Sequence, residues 1–532
     1  MSKTNDPKVS PEQESGLEPV QPQARKLRVP KPVMLVVVAL ALGIGGWFLW
    51  PQLASLFQEK PPPQAEVKKD IPVFRYSVLS GPLNTFYPAH STNVDEIVLN
   101  EQIFEGLVTY RDKKLVPNLA TAWTNPEETT WLFDLKKDVK FHSGRTMTAK
   151  DVVASVDQLK QNELGDIYAS TIKSVEAIGD YRVKIITDGP DPILLNRLVY
   201  VYIVDSASDE KNSPLNGTGP YTLKAGTQPT ETNIVLSAFD DYHGGRAYIR
   251  ELELKVIEED EKVAEALKDG SANLGSFSVP EALNTYRDQF RALYVNDPTV
   301  FGLYLNHLRT GPLQNLKVRQ AMYHAIDINA FLKNIETTGT PASQLVVDDI
   351  PGYNDEIKRL NYDPKRSREL LAEAGYPKGF TLEFTYLEKI SVLQAVAKEL
   401  ERQFKEVGIT LKHDPIPRGT DKFTEGLTQS YYLGYASDLL DMSDVIGGTL
   451  QTKNYNNPEV NELSQEANKV FDAPQRAVLL RRLSKKIMDD IAFIPLFNGK
   501  AGYLLDKPYV LNIDIPAASY PGVYFWRVYE KG

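Results

Sequence analysis

The run Val33–Trp50 (VMLVVVALALGIGGWFLW) carries no charge and no polar stripe, and it is bounded by Pro32 and Pro51. It is long enough to span a hydrocarbon core as a helix. Arg25, Lys26, Arg28 and Lys31 precede it, whereas the next basic residue beyond it is Lys60. That asymmetry puts the N-terminus in the cytoplasm and everything after Trp50 outside. No A-x-A site follows the run, which favours an uncleaved anchor over a removed signal peptide. A buried core helix would need a face to show water, and this segment has none.

The anchor divides the chain into unequal parts. Residues 1–32 are rich in Pro, Gln, Glu and Lys and read as a disordered cytoplasmic tail, because they cannot bury enough apolar surface to offset their ordering entropy. Residues 51–70, with Pro61-Pro62-Pro63, read as an extended linker. The rest of the 532 residues is long enough for two or more domains, and a hydrophobic fraction of 42% supplies their cores. With 60 Lys and Arg against 70 Asp and Glu, the chain has no electrostatic footprint for nucleic acid. It contains no cysteine, which removes disulfides, thiolate chemistry and a lipidated Cys as a membrane tether.

Strand and helix patterns alternate through this larger part, giving an α/β class. Leu382, Phe384 and Tyr386 alternate as one face of a strand; Leu393, Val396, Ala397, Leu400, Phe404 and Val407 follow at helical spacing; Gly408 stops that helix and Ile409 to Leu411 resume as a strand. Such a crossover implies parallel strands. A second helix has Asp363 as its cap, Pro364 at its first position, Leu370 and Leu371 inward and Gly375 at its end. Trp131, Phe133 and Leu135 keep a strand parity that Val139 and Phe141 share after a break, which predicts paired strands. Thr148 with Asp151 then starts a helix with Val152, Val156 and Leu159 buried.

Catalytic signatures are missing. Gly499-Lys500 is followed by Ala501, so no phosphate loop forms there, and neither G-x-S-x-G nor H-E-x-x-H occurs. The six histidines, His90, His142, His243, His307, His324 and His413, are scattered, which favours ordinary packing roles over a metal site or a triad. The reading is therefore a non-enzyme without metal or cofactor. The 27 tyrosines suit sheets and cores, and secondarily a ligand cleft.

The order of segments is more specific than any one motif. IFEGLVTY (Ile103 to Tyr110), LVPNLATAW (Leu115 to Trp123) and WLFDLKKDVKFHSGRTMTAKDVVASV (Trp131 to Val156) come first. NGTGPY (Asn216 to Tyr221), KVRQAMYHAID (Lys317 to Asp327), YDPKRSRELLAEAGYPKGF (Tyr362 to Phe380) and IPLF (Ile494 to Phe497) follow. From about Pro72 onward this resembles the extracytoplasmic solute-binding proteins of family 5, the peptide and nickel binders. Gly217 and Gly219 are expected to permit a tight turn, and Arg319 to pair or pack locally. Ser143, Tyr87 and Asn315 stand where the family often has Asp.

The resemblance implies a two-lobe periplasmic-binding-protein fold, type II-like, with discontinuous lobes. Lobe I would take 71–109, 210–297 and 491–532, a small extra domain 110–209, and lobe II 298–490. It also implies that Asp438, in LGYASDLLD, pairs with a ligand's α-ammonium. The residues agree, since Tyr431 to Tyr435 reads as a strand with Asp438 just past its carboxyl end, although Asp438 could equally cap a turn. Tyr435 holds the aromatic position usually filled by Trp. The implied function is a receptor anchored in the cytoplasmic membrane that captures a peptide or other small solute for a separate ABC permease and ATPase. The alternatives are a sensor or scaffold on the same fold, a binder of metal chelates, and an envelope hydrolase.

Overall fold

The computed structural model describes residues 68–531, apart from 79–82, 84, 91–93, 112–113, 163, 209–214, 258, 278–279, 389–390, 418–419, 421, 424, 438, 447–452, 511–512 and 515–521. The tail, the anchor Val33–Trp50 and most of the linker therefore lie outside the described residues. Among the described residues no helix is long and apolar enough to cross a membrane. At the end of the expected linker, Lys68 and Lys69 pair antiparallel with Lys531 and Glu530.

An eleven-stranded mixed sheet is the frame. Its order is Ile409–Ile416, Phe380–Leu387, Ser430–Tyr435, Arg291–Leu305, Phe493–Leu505, Leu274–Phe277, Ile71–Val78, Ile249–Val256, Asn233–Ala238 and Tyr221–Leu223, with Thr340–Pro341 attached to Phe493–Leu505. The predicted crossover is present: Phe380–Leu387 and Ile409–Ile416 run parallel, joined by the helix Ser391–Lys405. Its stripe from Leu393 to Phe404 is buried, as is Val407. Gly408 takes a left-handed φ of 91°, where a side chain would be strained.

Among the described residues two long strands carry the sheet through its middle. Arg291–Leu305 and Phe493–Leu505 are antiparallel partners, 15 and 13 residues long. The first half of Arg291–Leu305 pairs with Lys500 to Leu505, beside Leu274–Phe277; the second half pairs with Phe493 to Asn498 and with Ser430–Tyr435. Their register shifts between Asn296 and Val300 and again between Phe301 and Gly302, and such irregularities bend and twist a strand. On either side of this joint lie separate apolar cores. One holds Phe74, Phe104, Phe133 and Tyr221; two others hold Phe331, Phe384 and Phe404, and Tyr304, Met442 and Phe493.

A separate antiparallel sheet, in the order Ala120–Glu127, Thr130–Leu135, Arg182–Thr187 and Ile172–Ala177, carries the helix Ala149–Leu159. Trp131, Phe133 and Leu135 are its buried face, and Asp151 accepts the Thr148 N–H at 2.8 Å as expected of the cap. The pairing expected for Val139 and Phe141 does not form. Both are buried, but they lie in a loop joined only by the bridge Lys140–Thr146, because Thr130–Leu135 already has partners on both edges.

The residues singled out from the quoted motifs make packing and hydrogen-bond contacts. His142 Nε2 lies 3.0 Å from the Gly219 carbonyl, and the Ser143 hydroxyl donates to Asp205 at 2.7 Å; Arg145 bridges Asp151 and Asp205. Gly217 and Gly219 are glycine for a different reason from the expected turn. A Cβ at Gly217 would stand 2.1 Å from the Ile103 carbonyl oxygen, and one at Gly219 2.7 Å from the Ile103 carbonyl carbon. Close approach to a helix end, not a left-handed φ, excludes a side chain there. Arg319 is buried and donates to the backbone carbonyls of Leu313 (2.7 Å) and Asp490 (2.9 Å). Asn315 caps the helix Leu316–His324 through the Lys317 N–H, so an Asp there is not needed for the cap.

Candidate functional site

A cavity of about 720 Å³ lies against the joint, within the roughly 300–1,000 Å³ of ligand pockets generally. Asn296, Asp297 and Pro298 of one long strand and Asn498, Gly499 and Lys500 of the other form one side. The loop Val347–Pro351 and Tyr353 form a second, Leu440, Asp441, Phe471 and Arg476 a third, and Tyr110, Ile193 and Asn196 a fourth.

The third and fourth sides touch. Asn196 Nδ2 donates to the Leu439 carbonyl (2.6 Å) and to the Tyr110 hydroxyl (2.7 Å). Leu439 is buried in the same apolar cluster as Ile193 and Leu194, and the Trp131 and Phe471 rings meet at 6.0 Å. Burial raises the Tyr110 phenol well above its usual range, and the charge of Asp441 adds to the effect.

Asp441 and Arg476 form a two-pronged ion pair, one contact being Nη2 to Oδ1 at 2.9 Å, with side chains only 2% and 8% exposed. Asp441 also caps the helix Met442–Val445 through the Ser443 N–H, while Arg476 Nε donates to the Ala467 carbonyl at 3.1 Å. The pair fixes the cavity-lining segment onto the helix Ala473–Asp489 and leaves little charge free for a ligand.

Asp297 is different. Burial holds its carboxyl up at about 6 against the opposing pull of two Thr299 donors. Lys500, whose Cα is in register with Asn296, makes no ion pair with a described residue.

The strand expected over Tyr431 to Tyr435 forms as Ser430–Tyr435. Tyr435 is half-buried, faces Val300 in register and packs against the cluster of Val300, Tyr304 and Met442; it is not among the described residues lining the cavity. Asp438 lies outside the described residues. Its neighbours form a tight turn, with Asp441 N–H donating to Ser437 Oγ at 2.7 Å, and the lining resumes at Leu440. Sequence reasoning did not single out Asp297, Asp441, Arg476 or Tyr110. It met Lys500 only as a failed phosphate loop.

Among the described residues no group of three or more His, Asp or Glu could hold a metal ion. His243 instead meets Glu105 at 2.7 Å, and Tyr242 donates to the same carboxylate at 3.0 Å. This knot borders a second cavity of about 50 Å³ where burial pushes Glu101 up to about 8.

The family model for bacterial extracellular solute-binding proteins, family 5, matches residues 114–457. The chain belongs to that family. It is 25% identical over 451 residues to heme-binding protein A of Haemophilus influenzae, covering 75% of this chain and 82% of the relative. It is 24% identical over 478 residues to the dipeptide-binding protein of Escherichia coli, covering 78% and 89%. The fold of this family 5 protein matches that of the periplasmic binding protein DppA from Helicobacter pylori, solved with the peptide STSA. The TM-score is 0.71 at 23% identity, over 87% of this chain and 99% of that one. The two-lobe solute-binding architecture with mixed α/β content is thus established.

Proposed function

We propose that this family 5 protein is a membrane-tethered receptor of an ABC importer, which captures oligopeptide-like ligands between its lobes and presents them to a separate permease. The observation that carries this is the cavity of about 720 Å³, bounded on one side by the strand joint and on others by segments that meet across it. A ligand there touches both halves at once, which is what lets binding favour the closed form. In this reading Asp438 takes the ligand's amino terminus at the end of Ser430–Tyr435, with Tyr435 supporting the segment. The lobes follow the boundaries expected above, with 110–209 as the extra domain, and Val33–Trp50 holds the receptor in the membrane.

The test is native mass spectrometry of the full-length chain, released from detergent after exposure to a mixed peptide pool. A retained peptide lost on Asp438→Ala supports the reading, and retention unaffected by that substitution removes Asp438 from the site. A folded protein that retains heme but no peptide would favour the non-peptide reading, to which the heme-binding relative also points. Resistance to alkaline carbonate extraction, lost on deleting 33–50, tests the tether.

A further inference from the structure

Asp297 stands where the strand Arg291–Leu305 breaks register, and it lines the cavity. Its Oδ1 accepts the Thr299 N–H (2.8 Å) and the Thr299 hydroxyl (2.5 Å). Its Oδ2 has no partner among the described residues, and no described cation pairs with it. The side chain is half-buried, and it lines the cavity. Across from it a Cβ on Gly499 would come 3.6 Å from the Asp297 Cβ, so the missing side chain keeps that flank open.

The other charges around the cavity do not do this work. Asp441 and Arg476 neutralise each other. Asp348 and Asp349 are exposed, where solvent and salt screen them. Lys500, on the paired strand, is the remaining cation and is not bonded to Asp297. Tyr353 and Tyr110 are the other titratable groups lining the cavity, and both are held neutral by phenol pKa values raised through burial. A partly desolvated carboxylate with an open oxygen is a poor resting arrangement unless a cation completes it.

We propose that Asp297 is the cation-recognising residue of the cavity, and that the ligand presents an ammonium or guanidinium group to it at the joint, as the side chain of a basic peptide does. This rests on the reading of the cavity as the ligand site. It adds a carboxylate for a side-chain cation to the one proposed at Asp438 for the amino terminus, and so selects peptides with a Lys or Arg side chain. It also couples binding to protons. Burial pushes the free carboxyl up to about 6; a cation beside it lowers that value, so binding near pH 6 is expected to release a proton and affinity to decline as pH falls below about 6.

The experiment is titration calorimetry of the full-length protein in detergent micelles with trilysine and trialanine, at about pH 7.5 and about pH 6, for the natural chain and for Asp297→Asn. Asn keeps an oxygen for Thr299, so the local turn is retained. The expected result is trilysine binding about tenfold or more tighter than trialanine, matching one charge-assisted hydrogen bond. That preference should disappear in D297N. Near pH 6, heats measured in two buffers of different ionisation enthalpy should report proton release with trilysine for the natural chain and none for D297N. A preference that survives D297N overturns the proposal. Trialanine binding without preference in the natural chain also overturns it but leaves the peptide reading standing, whereas binding of neither peptide removes both.

Discussion

Replacing Arg476 by Met tests how the cavity-lining segment is held. The substitution keeps an apolar stem of similar reach and removes the guanidinium, leaving the Asp441 carboxylate, 2% exposed, with only the Ser443 donors. Stranding one member of a buried pair costs about 3–5 kcal/mol. At about 1 °C per kcal/mol for a unit of this size, the thermal midpoint should fall by roughly 3–5 °C. Asp441→Asn retains the cap, since Asn serves there as well as Asp, but it strands the guanidinium against the Ala467 carbonyl and Ser443. The double variant strands neither charge. Its cost should fall short of the sum of the singles by about 2 kcal/mol, within the usual coupling of contacting residues. Urea denaturation followed by tryptophan fluorescence reads all three. A cost below about 1 kcal/mol for Arg476→Met, as for an exposed pair, or strict additivity in the double variant, would refute the argument.

Three further outcomes are expected. Gly217→Ala drives a Cβ into the Ile103 carbonyl and should lower stability by about 1–3 kcal/mol by overpacking, read as a lower urea midpoint at unchanged slope. His307, whose Nε2 faces the Ile491 carbonyl, is held down to about 3 by burial and by Arg319. Its unfolded form takes up a proton first, so folding stability should decline as pH falls from about 6.5 towards 3, by at most about 1.4 kcal/mol per unit, and His307→Gln should flatten that slope. Asn196→Ala removes both bonds that join Tyr110 and Leu439 and should shift the population towards an open form. Because the chain has no cysteine of its own, two introduced cysteines across the cavity can be labelled for a distance measurement, and an unchanged distance distribution would count against a latch at Asn196.

Much of the frame was legible in the sequence because its signals are local. The stripe Leu393 to Val407 with Gly408 behind it, the Asp363 cap and the Thr148 start all formed, since periodicity and capping act within a few residues. Val139 and Phe141 misled because parity reports burial, and a loop buries alternate residues as well as a strand does. Gly217 misled because the carbonyl that forbids a side chain lies more than a hundred residues away, at Ile103. The same distance hid the cavity. Asp297 and Lys500 reach one cavity through a strand pair that joins the middle of the chain to its end, and Asp441 finds Arg476 only once a helix has packed. Family likeness pointed to Asp438, which lies outside the described residues, whereas the described lining came from topology.

The paired strands that form one wall of the cavity are also, among the described residues, the long members of the frame that pair with strands on both sides of the joint. In the proposed reading, a swing of one half against the other bends them near Asp297 and Gly499, beside the cavity that takes the ligand. An occupant placed as proposed presses on the joint itself, like a shim set into a door hinge. A small change in what it fills at that point is levered into a large change at the far rims of the lobes. Selectivity and signal then arise at one place, and a substitution meant to alter the first will move the second.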